Sequence, residues 1–234
     1  MEFKPFPKLA RISREAVITE KLDGTNAQIY IVSLEKTNYF LSVTPGEDPV
    51  PLQGLMVDPI TAIVDGFAIF SGSRTRWITP GKDSDNYGFA EWVRQNAKEL
   101  VKLGPGQHFG EWMGCGINRN YNLSERRFYL FNTSRWFTLC GPPASKPGVY
   151  TQVKDEDGNL SLVDGPACCH VVPVIWRGVF DTHDVVNCVE MLRSQGSFAV
   201  PGFMQPEGVV VFHLASGQMF KKTLVADESP KSRA

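Results

Sequence analysis

Strand-like segments follow one another along this chain with few helices between them, and that order constrains the fold more than any other feature. Val17–Ile18 running into Lys21, and then Ala27–Val32, read as strand, tight turn, strand. Tyr39–Val43 reads as a third strand, and Pro45–Asp58, rich in Pro, Gly and acids, as loop. Ile60–Phe70 is apolar and fits either helix or strand. His108–Trp112, Arg127–Phe131 and His170–Ile175 read as strands, and Gly141–Gly165 as a loop or loose hairpin. Glu207–Leu214 and Gln218–Leu224 form strands around Ala215-Ser216-Gly217. Two helices stand out. Ser84–Leu103 places Phe89, Trp92, Val93, Ala97, Leu100 and Val101 on one face, with Ser84 or Asp85 as cap and Gly104-Pro105 as stop. Asp181–Gln195 carries the stripe Val185, Val186, Val189 and Leu192, capped by Asp181 or Thr182. With no regular strand–helix–strand alternation, the expected class is α+β with mostly antiparallel sheets and flanking helices.

Composition narrows the function classes. The chain has 234 residues and 42% hydrophobic content, enough for a sizeable core. Its 24 basic and 25 acidic residues balance, so nucleic-acid contact must come from a local patch rather than a basic footprint. No apolar run is long enough to span a membrane, and Met1-Glu2-Phe3-Lys4-Pro5 lacks the apolar core of a signal peptide. Five cysteines at irregular spacing, with Cys168-Cys169 adjacent, argue against a disulfide framework and show no zinc spacing. These features fit a cytoplasmic protein without membrane contact.

The chemistry concentrates at Glu20-Lys21-Leu22-Asp23-Gly24-Thr25-Asn26, where one strand turns into the next. This is the setting for a lysine that attacks a nucleotide α-phosphate; alone, the stretch reads rather as a surface turn with a solvated lysine. Ser71-Gly72-Ser73-Arg74-Thr75-Arg76 sets an arginine, whose fork suits phosphate, in a small-residue turn. Phe109-Gly110-Glu111-Trp112 holds a glutamate in an apolar setting, where it needs a partner such as ribose hydroxyls or a metal. Phe128-Tyr129-Leu130-Phe131-Asn132 is an apolar strand with aromatics able to stack on a purine. Pro206-Glu207-Gly208 opens a strand with a carboxylate suited to Mg²⁺. Met219-Phe220-Lys221-Lys222-Thr223 puts two lysines on a late strand, of which only one can share a given face.

In this order, the six segments resemble the ATP-dependent RNA ligases of the covalent lysyl-nucleotidyltransferase superfamily, from about Thr19 to Lys222. The resemblance implies a nucleotidyltransferase (ATP-grasp-like) domain that joins 3′-hydroxyl and 5′-phosphate RNA ends, whether single-stranded, in a nicked duplex or at a tRNA-like break, with ATP and Mg²⁺ or Mn²⁺. It implies Lys21 as the nucleophile, and Asp23, Arg74 and Lys221 or Lys222 as further catalytic groups. The nucleotide would be held by Glu20, Asn26, Arg74, Glu111, Phe131, Glu207 and Lys221, and the metal by Glu207 and Glu111. Asp23 would act in the later transfers or orient the turn. The adjacent lysines depart from the family's Lys-x-Lys, leaving Lys221 favoured over Lys222. A single domain over 1–226 is expected, with a flexible tail at 227–234 and no C-terminal accessory domain. Arg76, Lys82, Arg119, Arg126, Arg127 and Lys222 are candidates for a phosphate-tracking patch. Asn118-Arg119-Asn120-Tyr121 reads equally as a nucleic-acid contact or an ordinary polar loop. A monomer in a bacterial or phage-infected cell is the expected setting. The alternatives are an end-sensing or nucleotide-binding protein that no longer ligates, a DNA ligase, and a GTP-dependent capping transferase.

Overall fold

The computed structural model describes residues 3, 5–6, 8–34, 59–139 and 148–225. The strand expected at 39–43, the loop at 45–58 and the tail at 227–234 lie outside the described residues. The chain divides into two compact units, residues 1–23 with 172–234, and residues 24–171.

The first unit is built on a four-stranded antiparallel sheet. Its members are β1 (Glu15–Lys21), β11 (Val174–Val179), β12 (Gly208–His213) and β13 (Gln218–Thr223), in the order β11-β1-β12-β13. One helix, α3 (Thr182–Gln195), covers one face. Asp181 caps it by accepting a hydrogen bond from the His183 backbone at 2.8 Å. Cys188, Val189 and Leu192 pack on Ala16, Ile18, Val209 and Val211. Each fully buried Val or Leu there contributes about 2 kcal/mol. Val186, expected on the buried stripe, is instead half exposed, and Cys188 takes the inward position. The stripe runs one position further round the helix than the valines alone suggest.

The second unit holds a larger sheet. It contains β2 (Thr25–Ser33), β3 (Ile60–Val64), β4 (Phe67–Ser73), β5 (Trp77–Ile78), β6 (Gly106–Gly114), β7 (Arg126–Leu130) and β10 (Cys169–Val171). The order is β10-β7-β6-β2-β4-β3, with β5 beside β4. Among the described strands only the short β10–β7 contact is parallel. The ambiguous 60–70 segment is a hairpin. Asp65 and Gly66, both at positive φ, form the turn that suits two right-twisted strands. A separate hairpin, β8 (Tyr150–Lys154) with β9 (Leu160–Asp164), fills the later part of the segment read as loop or loose hairpin.

The helix expected over 84–103 is shorter and broken. It forms as α1 (Phe89–Gln95) and α2 (Ala97–Leu100), followed by a 3₁₀ turn at Val101–Leu103. Asp85 does cap it, but from outside. Its carboxylate accepts from the backbone of Asn86, Ala90 and Glu91 at 2.6, 2.8 and 3.1 Å. Asn96 interrupts the helix with a non-helical backbone and a side chain that donates to the Trp92 carbonyl at 2.8 Å. These helices cover one face of the sheet. Phe89 meets Trp112 and Phe128 there, with ring centroids 5.4 and 5.2 Å away, above Ala27, Ile29, Ile31 and Ile69. The expected strand at 170–175 is two strands, because Pro173 has no N–H to give a ladder. The chain passes from the second unit to the first there. No helix among the described residues is long and apolar enough to cross a membrane, and Cys115, Cys168, Cys169 and Cys188 are free thiols.

Candidate active site

In the first unit, β1 ends on Lys21. Its ammonium donates to Glu207 Oε2 at 2.6 Å, with Lys21 mostly buried and Glu207 4% exposed. Residues far apart in sequence meet because β1 and β12 run antiparallel with Lys21 opposite Gly208, so Glu207 is delivered at the strand entry. Gly208 has a positive φ, and a Cβ there would lie 2.1 Å from the Lys222 carbonyl oxygen. Only glycine fits this close approach of β12 to β13.

The register also separates the adjacent lysines. Thr19, Val210 and Lys221 stand in one cross-strand row, and Glu20, Val209 and Lys222 in the next. Val209 belongs to the core under α3. Lys222 therefore shares the helix-covered face, whereas Lys221 is exposed on the face that carries Lys21. Asp23 is half-buried at the end of this unit.

Glu20 also points to the α3 face, 1% exposed. Its Oε2 accepts from the backbone of Phe198 and Ala199 at 2.8 and 2.9 Å, while its Oε1 has no hydrogen-bond partner among the described residues. Burial pushes its carboxyl above the ordinary range, against the opposing bonds from Ser197, Ala199 and Phe198. The backbone of Glu20, whose N–H donates to Pro173 O at 3.0 Å, stays with the strand.

In the second unit, Asn26 of β2 lies directly opposite Glu111 of β6, and Glu111 opposite Tyr129 of β7, which pairs with His170 of β10. This row runs across the face away from the helices. Tyr129 and His170 stack at 4.8 Å. Burial, and then the Arg127 charge, hold the His170 imidazole below its ordinary value. Glu111 Oε1 accepts from the Gly24 backbone at 3.0 Å, and Asn118 Nδ2 donates to the Gly24 carbonyl at 2.6 Å. Phe131 sits just past β7, 38% exposed, with its N–H donating to the Phe109 carbonyl at 3.0 Å. Arg74 is exposed in the turn joining β4 to β5, which is closed by Ser73 N donating to Arg76 O at 2.8 Å.

Some residues lay outside the sequence reading. Gln28, one alternation beyond Asn26 on the same face, covers Gly72 and donates to the Ser73 carbonyl at 3.0 Å, fixing the start of the Arg74 turn. Its place followed from the two-residue period of β2. Asn118 belongs to a polar loop, and its bond to Gly24 has no local signal in the sequence. Arg126 donates to the carbonyls of Cys115 and Tyr87 at 2.8 and 2.7 Å, and Arg127 pairs with Glu125 at 2.7 Å. These two guanidinium groups of the expected patch thus have protein partners.

A family model described as RNA ligase matches residues 14–223. The chain belongs to the RNA ligase family. No curated protein matches it. Solved structures of an RNA ligase from Naegleria gruberi are similar. An apo mutant is 17% identical, with a TM-score of 0.48, covering 95% of this chain and 53% of that one. A mutant with ATP and Mn is 16% identical, at a TM-score of 0.46, covering 89% and 48%. A mutant with AMP and Mn is 16% identical, at 0.47, covering 95% and 53%. This RNA ligase-family chain spans about half the length of those proteins.

Proposed function

We propose that this protein is an ATP-dependent RNA ligase, a nucleotidyltransferase domain that joins 3′-hydroxyl to 5′-phosphate ends through lysyl-AMP. The observation that carries the reading is the mostly buried Lys21–Glu207 pair at 2.6 Å, in a chain of the RNA ligase family.

A solvated lysine stays protonated and is no nucleophile. Glu207 fixes the amine in place, and partial burial with the positive charge of Arg74, Lys221 and a bound metal ion would favour its neutral form. The neutral Lys21 nitrogen attacks the ATP α-phosphorus; the N–P bond forms and the P–O bond to pyrophosphate breaks. An RNA 5′-phosphate oxygen then attacks the same phosphorus, and the lysine nitrogen leaves and regains a proton. A 3′-hydroxyl oxygen finally attacks the RNA 5′-phosphorus, and AMP leaves. Arg74 and Lys221 supply positive charge for the phosphate oxygens, which gain charge as each phosphorus is attacked. Asn26 and Glu111 hold the nucleoside, and Phe131 stacks on its base. Glu20 meets the adenine edge through its backbone, and Asp23 serves the later transfers.

Glu207 and Glu111 are the residues that would hold Mg²⁺ or Mn²⁺. Among the described residues no group of three or more metal-binding side chains occurs. Single carboxylates suit an ion that keeps most of its waters. When bound, such an ion neutralises phosphate charge.

The test uses protein stripped of prebound AMP, with ATP, Mg²⁺ or Mn²⁺, and strands bearing a 3′-hydroxyl and a labelled 5′-phosphate. Joined RNA, preceded by adenylated RNA, is the expected outcome. Lysyl-AMP without joined product would identify an end-sensing protein instead. Equal joining of DNA 3′ ends would make it a DNA ligase, and labelling by GTP rather than ATP a capping transferase.

A further inference from the structure

The face of the larger sheet that carries Asn26 and Glu111 continues into an aromatic surface. Tyr30 pairs with Phe70, and Trp77 with Gly72, so all three rings project from this face, two alternations or fewer from Gln28. Their centroids are 5.8–6.2 Å apart, and Tyr30 and Trp77 lie within 23° of parallel. Each is half-buried. Phe109, opposite Gln28, is 45% exposed and lies next to Phe131. The other face of the same strands is sealed, with Ile29, Ile31 and Ile69 at 1% exposure or less. That sealed face already supplies the unit's core, and the rings on the open face stand outside it.

The rim of the aromatic surface is cationic. Arg74 and Arg76 are exposed in the turn immediately before Trp77. In a chain of net charge −1, attraction for a polyanion has to be local. Aromatic rings on a strand surface beside arginines match the way single-stranded nucleic acids are held. Bases stack on the rings, and cations track the phosphates. A folded protein partner would not need the cationic rim.

We propose that Tyr30, Phe70 and Trp77 form a stacking platform for unpaired bases of the RNA substrate, with Arg76 on a neighbouring phosphate. This rests on the RNA ligase reading above. Stacking is indifferent to base identity, so the platform grips the strand without selecting a sequence.

The test uses the full chain with Tyr30→Leu, Trp77→Leu and, as the conservative control, Tyr30→Phe. Leucine keeps apolar bulk and removes the π-face. Two quantities are read: lysyl-AMP formed from ATP alone, and affinity for a short unpaired RNA at fixed salt. The expected result is normal lysyl-AMP in every variant, binding weakened roughly tenfold by each leucine, and near-normal binding by Tyr30→Phe. Unchanged RNA affinity in both leucine variants would overturn the platform. Absent lysyl-AMP in the wild type would instead defeat the ligase reading, while the binding comparison would still decide the platform. Should a leucine variant fail to fold, Trp77→Phe gives the second measure. RNA should quench the wild-type tryptophan fluorescence more than that of this variant, and equal quenching would overturn the proposal.

Discussion

Replacing Gly24 with alanine tests whether close packing, rather than backbone conformation, explains the glycine after Asp23. Gly24 is not among the residues at positive φ. An added Cβ would lie 2.4 Å from the Trp112 carbonyl oxygen, 2.8 Å from Met113 Cβ and 3.0 Å from Glu111 Cγ. Carbon and oxygen ordinarily meet near ~3.3 Å, so the first contact is too close by about 0.9 Å. The oxygen belongs to β6 backbone, opposite Thr25, and it yields only if the two strands separate. Overpacking of this kind costs about 1–3 kcal/mol, which lowers Tm by roughly 2–12 °C in a chain of this size. The same movement loosens the Gly24–Glu111 and Gly24–Asn118 bonds, so lysyl-AMP formation should fall as well. Gly66→Ala is the comparison. Gly66 has a φ of +77° and no atom within 4 Å, so only the ~1 kcal/mol left-handed penalty applies. Thermal unfolding followed by circular dichroism, with AMP labelling beside it, reads both effects. A Gly24→Ala protein that unfolds no earlier than Gly66→Ala and labels normally would refute the steric argument.

Asp85→Ala should lower stability by about 1–2 kcal/mol, measured by denaturant unfolding, because three backbone N–H groups around the start of α1 lose their acceptor. Arg126→Ala should destabilise the protein through the loss of two carbonyl contacts, while leaving the salt dependence of RNA binding unchanged; a shallower salt slope would mean that this arginine does meet phosphate. Burial first, and neighbouring Arg135 or Arg127 second, holds His108 and His170 below their ordinary value of 6.5. Below pH 6.5 the unfolded chain therefore binds more protons than the folded one. Their contribution is complete above that pH and lost as pH falls toward the folded values, so Tm should drop on acidification, and less steeply in His170→Gln.

Much of this was legible in the sequence where pattern and chemistry coincide. Strand alternation located β1, β2, β6, β12 and β13, and Gly104 and Asp181 marked helix ends through their local conformational roles. The break at Asn96 was not legible, because every residue on the apolar stripe still fits one helical face. The 60–70 hairpin was hidden because its apolar run has no alternation, although Asp65-Gly66 was a usable turn signal. At the candidate site, residue types and order pointed to Lys21, Glu111 and Glu207. Which face each of Lys221 and Lys222 occupies needed the register against Val209 and Val210. The bonds from Asn118 to Gly24 and from the 198–199 backbone to Glu20 span 94 residues and up to 179 residues, and no local pattern encodes them.

The most direct measurement is the site of nucleotide attachment. Protein stripped of bound AMP is incubated with ATP and Mn²⁺, digested, and read by mass spectrometry, with Lys21→Ala beside it. AMP should be carried by the peptide containing Lys21 through an acid-labile N–P bond, absent from the variant, and discharged on adding 5′-phosphorylated RNA. AMP on another residue, or labelling that survives Lys21→Ala, would contradict the central claim.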